Sequence, residues 1–179
     1  MPKTRTQASR DEKVAEILDA AEARLREGGI SALSIAALAR KLGVAQNAVY
    51  WYFPSRDHLL VAAMERMLAD IIARKPKGDE ADEVERVLWF TDQLQELSDL
   101  RGAMRERARG SEVVAEFVAN LDESLSRMLT NVLSDRVAAE ELPLAVAAFR
   151  ATVDGAVARG LPEDERRRVL AYALERLID

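Results

Sequence analysis

Gln46, Asn47, Tyr50, Trp51 and Tyr52 fall within seven consecutive residues. Each of the two amides carries a donor and an acceptor, and either can bond bidentately to the major-groove edge of adenine. The aromatic rings can lie against sugars and thymine methyl groups, while a phenol hydroxyl or an indole N–H donates to phosphate. Phe53 follows, so four of the chain's nine aromatic residues stand in one run. A core spreads its rings at helical or strand spacing, whereas a run of four serves two surfaces at once. Val49 and Phe53 suit an inner surface, Tyr50 and Trp51 an outer one, and Tyr52 either. The competing reading is a plug between helices. The turn motif before the run and the Phe53-Pro54-Ser55-Arg56 exit weigh against it.

Other chemistries find little support. The chain has no Cys, which excludes disulfides, thiolate metal sites and cysteine nucleophiles. His58 is its only His and is expected exposed in the first turn of a helix, with no catalytic or metal role. There is no E-x-x-H motif and no Gly-rich phosphate loop after a strand. Catalytic residues, metal and cofactor are therefore expected to be none, and an enzyme is not expected. The net charge of −5 does not suggest a nucleic acid, but its distribution does. Residues 1–56 hold three Lys and six Arg against six acids, a net +3. The remainder holds 17 basic and 25 acidic residues, a net −8. A basic head on an acidic body fits a chain whose head alone meets a polyanion.

The elements that must hold these residues read as helices throughout, and no segment alternates for long in the manner of a strand. Ser9-x-x-Glu12 has the form of a capping box opening the first helix. Val14, Ile17, Leu18, Ala21 and Leu25 follow on one face, and Gly28-Gly29 closes it. Ser34 caps a second helix over 35–42, and Gly43 ends it. A third covers 46–52. Pro54-Ser55 restarts the chain into a fourth, with Leu60, Ala63, Met64, Met67, Leu68 and Ile71 on one face. Residues 74–79, Arg-Lys-Pro-Lys-Gly-Asp, form the best linker. Further helices are expected over about 80–100, from Ser111 to about 133, from Pro143 to 159, and from Pro162 onward, with a short helix or turn over 101–111.

Residues 35–52, IAALARKLGVAQNAVYWY, form a helix-turn-helix. Ala39 is small where two helices cross, and Gly43 stands at the sharp turn. The second helix is then free to enter a major groove. With Gly29 before the second helix, the Leu42-Gly43-Val44 turn, the 50–53 aromatics and the Phe-x-Ser-Arg entry to helix four, residues 17–64 resemble the DNA-binding domain of the tetracycline-repressor (TetR) family.

The resemblance implies an all-α fold. An N-terminal three-helix helix-turn-helix DNA-binding domain over 1–56 is followed by a helical-bundle ligand-binding and dimerisation domain over 57–179, and helix four, from 55, links head to body. It implies that Gln46 and Asn47 read bases and that Tyr50, Trp51 and Tyr52 contact backbone and methyl groups. Ser34 and Arg56 grip phosphate, with Lys41 a weaker candidate and Lys3, Arg5 and Arg10 a basic arm. Three positions depart from the family pattern. Ala45 removes the usual cap of the third helix, which costs roughly 0.5–2 kcal/mol. Ala48 and Ala36 replace polar contacts. Fewer direct base contacts and more reliance on phosphates and DNA shape are expected.

The C-terminal region mixes large apolar side chains with amides in Trp89, Phe90, Gln93, Leu97, Met104, Phe117, Asn120 and Met128, as a small-molecule pocket does. Ordinary core and surface is the competing reading. Phe149, Val153, Ala156, Val157, Val169, Tyr172, Ala173 and Leu177 could form a two-fold four-helix interface, or pack within the chain. The function expected is a dimeric repressor on a palindromic double-stranded operator, released by a small hydrophobic or amphipathic ligand. The alternative is a DNA-binding regulator without a ligand, controlled by a partner protein or by abundance. No apolar run approaches the length of a membrane span and the N-terminus leads into no signal core, so a cytoplasmic chain with no membrane partner is expected.

Overall fold

The computed structural model describes residues 5–74 and 83–178. Lys3 of the basic arm, residues 75–79 of the linker and the expected helix start at Glu80 lie outside them. Nine helices are present among the described residues: α1 (Arg5–Ala32), α2 (Ile35–Lys41), α3 (Gln46–Tyr52), α4 (Arg56–Ala73), α5 (Glu83–Gln95), α6 (Ser98–Ala108), α7 (Glu112–Leu133), α8 (Leu142–Ala158) and α9 (Glu163–Ile178). The all-α expectation holds, and the bounds of α3 are those read from sequence.

Two helices differ from that reading. α1 begins at Arg5, so Ser9 and Glu12 lie inside it and form no capping box. Nothing in residues 5–8 breaks a helix, so the local cap signal is overridden. At the other end Gly28 (φ −148°, ψ 20°) and Gly29 (φ 64°, ψ −163°) leave helical geometry where the sequence expected the helix to close, and a further turn runs to Ala32. The single helix expected over 80–100 is two: α5 stops at Gln95 and α6 starts at Ser98.

The chain divides into two compact units. The first takes in the chain up to Asp70 together with Asp99–Val118. The second comprises Ile71–Ser98 and Ala119–Asp179. The expected boundary at 56/57 therefore falls inside the first unit.

In the first unit, Ile17, Leu18, Ala21 and Leu25 of α1 and Leu60, Ala63, Met64 and Met67 of α4 are buried, as their helical spacing requires. An ion-pair cluster ties these two helices. Arg66 donates from Nε to the buried Glu22 carboxylate and from Nη2 to Asp19 at 2.6 Å, and Arg26 reaches Glu22 at 3.1 Å. In the second unit Val87, Leu88, Leu129, Leu133, Val146, Phe149, Leu170 and Leu174 form a core. Asp92 of α5 there meets two arginines of α9, Arg166 at 3.3 Å and Arg167 at 2.7 Å.

Candidate nucleic-acid interface

Ser34 is extended (φ −132°, ψ 122°), and its Oγ accepts the Ala37 N–H at 3.4 Å, capping α2. α2 buries Ile35, Leu38 and Ala39. Gly43 then takes φ 66°, where an L side chain is strained. The Val44 N–H returns to the Ala39 carbonyl at 3.0 Å, which closes the turn. At Ala45 no side chain caps α3, as the sequence implies, and the Ala48 N–H bonds the Ala45 carbonyl at 3.0 Å.

Within α3 only Val49 is buried, at 0% exposure, and Phe53 is buried just after the helix. The seven-residue helix thus hangs on these two apolar anchors. Gln46, Asn47, Ala48, Tyr50 and Trp51 are exposed. Residues four apart are neighbours on a helix surface, so Gln46 lies beside Tyr50 and Asn47 beside Trp51. The outer face is two short rows, amide first and aromatic second. Tyr52 is half-buried, and its ring meets Trp51 edge to face at 4.8 Å between centroids and 88° between planes. The structure thus gives Tyr52 a share in both surfaces.

Neighbouring helices carry exposed cations. Lys41 is exposed at the end of α2, as is its neighbour Arg40, which sequence reasoning passed over. Ser34 is exposed at the start of α2. From α1, the Arg10 guanidinium lies over the Trp51 ring, 5.1 Å from the centroid.

Arg56, expected on phosphate, also bonds within the chain. Its Nε donates to the Leu33 carbonyl at 2.8 Å and its Nη2 to the Ile30 carbonyl. The last turn of α1 has no basic residue of its own, and Arg56 brings a cation to its end, bonding the Leu33 carbonyl just past the helix and the Ile30 carbonyl, which also accepts the Leu33 N–H at 3.2 Å. Two of the Arg56 nitrogens are thus engaged by protein backbone carbonyls.

The first turn of α4 is tied down as well. Ser55 Oγ accepts the His58 N–H at 3.3 Å and lies 2.8 Å from His58 Nδ1. Asp57 accepts both Nε and Nη2 of Arg107, at 3.0 and 2.8 Å. These bonds hold the Asp57 carboxyl below the usual aspartate range, helped by Ser111 and opposed by partial burial. The same pairing raises Arg107. Sequence reasoning missed this bridge, because charges fifty residues apart carry no pairing signal.

The pocket candidates fall in both units. Trp89, Phe90, Gln93 and Met128 are half-buried and Leu97 is buried, all in the second unit. Met104 and Phe117 are buried in the first. Asn120 is exposed on α7.

Of the interface candidates, Tyr172 and Val169 are exposed. Phe149, at 0% exposure, and Ala156 are buried in their own unit and are removed from an outer surface. Val153, Ala173 and Leu177 pack partly against that core, and Val157 is half-buried. Among the described residues no group of acids and histidines is placed to hold a metal, and no helix is long and apolar enough to cross a membrane.

Residues 17–63 match the family model described as "Bacterial regulatory proteins, tetR family". The chain is 35% identical over 83 residues to the "HTH-type transcriptional repressor KstR" of Rhodococcus jostii, a match covering 46% of this chain and 39% of that protein. It therefore spans about two fifths of that relative's length. A transcriptional regulator from Rhodococcus sp. RHA1 superposes with a TM-score of 0.76 at 20% identity, over 92% of this chain and 95% of that one. A transcriptional regulator from Saccharomonospora viridis, solved in complex with choline, superposes with a TM-score of 0.72 at 17% identity, over 94% and 98%. At such identities the superpositions speak to the fold.

Proposed function

We propose, from the match of residues 17–63 to the tetR family of bacterial regulatory proteins, that the chain is a DNA-binding transcriptional repressor of that family. Two copies would read a palindromic operator, and a small molecule would release them. The observation that carries the reading is the outer face of α3. Gln46, Asn47, Tyr50 and Trp51 stand exposed on a helix fastened from behind by Val49 and Phe53. Tyr50 and Trp51 leave large apolar rings exposed beside two amides, and a major groove offers base edges to the amides and sugar-phosphate to the rings.

In this reading residues 1–56 recognise DNA and the remainder regulates. Two copies of α3 would sit about one helical turn apart, roughly 34–36 Å, or a multiple of it. The similarity to KstR, named as a repressor, supports the sign of the effect. The choline complex of a protein of the same fold supports a small-molecule effector held in the helical body. Such an effector must bind the DNA-free state more tightly, by a coupling of about 1–3 kcal/mol, or it shifts nothing.

The test is fluorescence anisotropy of the purified protein on duplex DNA from upstream of its own coding sequence, against scrambled duplex at near-physiological salt. Tighter binding to the native duplex, with an even number of chains per site, is expected. No binding to either, even at low salt, would overturn the reading.

A further inference from the structure

Arg10 lies outside the stretch that matches the family model, seven residues before its start. Its place in the fold is nonetheless at the recognition face. Its guanidinium stands over one face of the Trp51 ring at 5.1 Å, while Tyr52 meets the same ring edge-on at 4.8 Å. The indole is thus held from two sides, although Trp51 is 66% exposed. An exposed cation–π pair contributes little to folding, on the order of half to one kilocalorie per mole by general experience, so stability alone does not explain it.

The geometry has a second consequence. A guanidinium carries five N–H donors in a planar fork, and a single ring can engage only one face or edge of it. Donors remain for another acceptor, and Arg10 is itself exposed. The next cation along α1, Lys13, is paired with Glu16 at 2.6 Å. Arg10 is thus an α1 cation that the fold sets directly on the α3 face.

We propose that Arg10 and Trp51 act as one unit that grips a DNA backbone phosphate beside the recognition helix. Trp51 holds the Arg10 guanidinium in place, and Arg10 in turn fixes the Trp51 ring. It gives Arg10, a member of the expected basic arm, a defined partner on α3, and it rests on the DNA-binding reading above.

A phosphate contact is independent of sequence, so a random-sequence duplex of about 30 base pairs suffices as probe. Affinity would be measured across a salt series for the wild type, Arg10→Ala, Trp51→Ala and the double variant. Both single variants should bind severalfold more weakly, and Arg10→Ala should flatten the slope of log affinity against log salt by about one. Once Trp51 is gone, removing Arg10 should change affinity by less than about twofold, the signature of coupled residues. Arg10→Lys should recover the salt slope but only part of the affinity, because an ammonium lacks the planar fork.

A readout without DNA separates the two levels of the claim. The chain has two Trp, so Trp51 fluorescence can be followed alone in a Trp89→Phe background. Arg10→Ala should make Trp51 more accessible to acrylamide. If the wild type binds the duplex and Arg10→Ala matches it in affinity and slope, the proposal falls while the regulator reading stands. Equal Arg10 effects with and without Trp51, or unchanged Trp51 accessibility, would also overturn the coupling. If the wild type does not bind even at low salt, the DNA reading falls and the proposal with it.

Discussion

Arg56 of α4 donates to the Leu33 carbonyl at 2.8 Å, and its second bond, to the Ile30 carbonyl, pins the link between α1 and α2. Ser34, which caps α2, is the next residue after Leu33. Arg56 thus sets where the helix-turn-helix begins. Replacing it with Ala leaves two carbonyls without this donor and should cost about 1–3 kcal/mol in urea unfolding. DNA binding should weaken as the head loosens, with the salt slope unchanged. A slope flatter by about one with stability retained would put Arg56 on phosphate instead.

Val49 is the one buried residue of α3. Val49→Ala should cost about 2 kcal/mol, by analogy with other buried truncations. Its effect on DNA binding should exceed what the unfolded fraction explains, because α3 would keep only Phe53 as an anchor. Binding measured well below the unfolding midpoint, alongside circular dichroism, checks this. Normal affinity would mean that α3 is held by something else.

Arg66 bonds Glu22 and Asp19, and Glu22 is buried. Arg66→Met strips a buried carboxylate of its main partner. The loss should be about 2 kcal/mol, less than the ~3–5 of a fully broken buried pair, because Arg26 still faces Glu22. Double variant Glu22→Gln/Arg66→Met should recover part of it. Urea unfolding of the set would decide, and an unchanged midpoint in Arg66→Met would contradict the cluster's role.

Asp57 titrates below its ordinary range because Arg107 hydrogen-bonds its charged form. A carboxylate lowered on folding adds stability above its unfolded value, ~3.9, and loses it as pH falls through the lower folded value. Asp57→Asn should therefore be less stable than wild type at pH 7, and the gap should narrow below about pH 4. High salt should narrow it at pH 7 too, since Arg107 is partly exposed. A gap constant from pH 7 to 3 would rule out the ion pair as its source.

The helix-turn-helix was legible because its signals are local. Gly43 at a positive φ, Ser34 as cap and Val49 four residues before Phe53 each act within a few residues, and α3 has the bounds its sequence suggests. What was not legible depended on distant chain. The Ser9-x-x-Glu12 pattern has the form of a start signal but lies inside α1, where residues 5–8 continue the helix. The break between α5 and α6 falls at Glu96-Leu97, with no Gly or Pro to announce it. An arginine at position 56 suits a phosphate or a carbonyl equally, and its bonds to the Leu33 and Ile30 carbonyls depend on chain more than twenty residues away. Phe149 has the spacing of an interface residue and of a core residue alike, and its burial selects the core.

The central claim is that the outer face of α3 reads base sequence, and Gln46 tests it most directly. Affinities of wild type and Gln46→Ala would be measured on the best-bound duplex and on variants changed one base pair at a time. The account predicts that Gln46→Ala loses about 1–3 kcal/mol of discrimination at one base position and keeps both its salt slope and its preferences elsewhere. Unchanged discrimination at every position would contradict it.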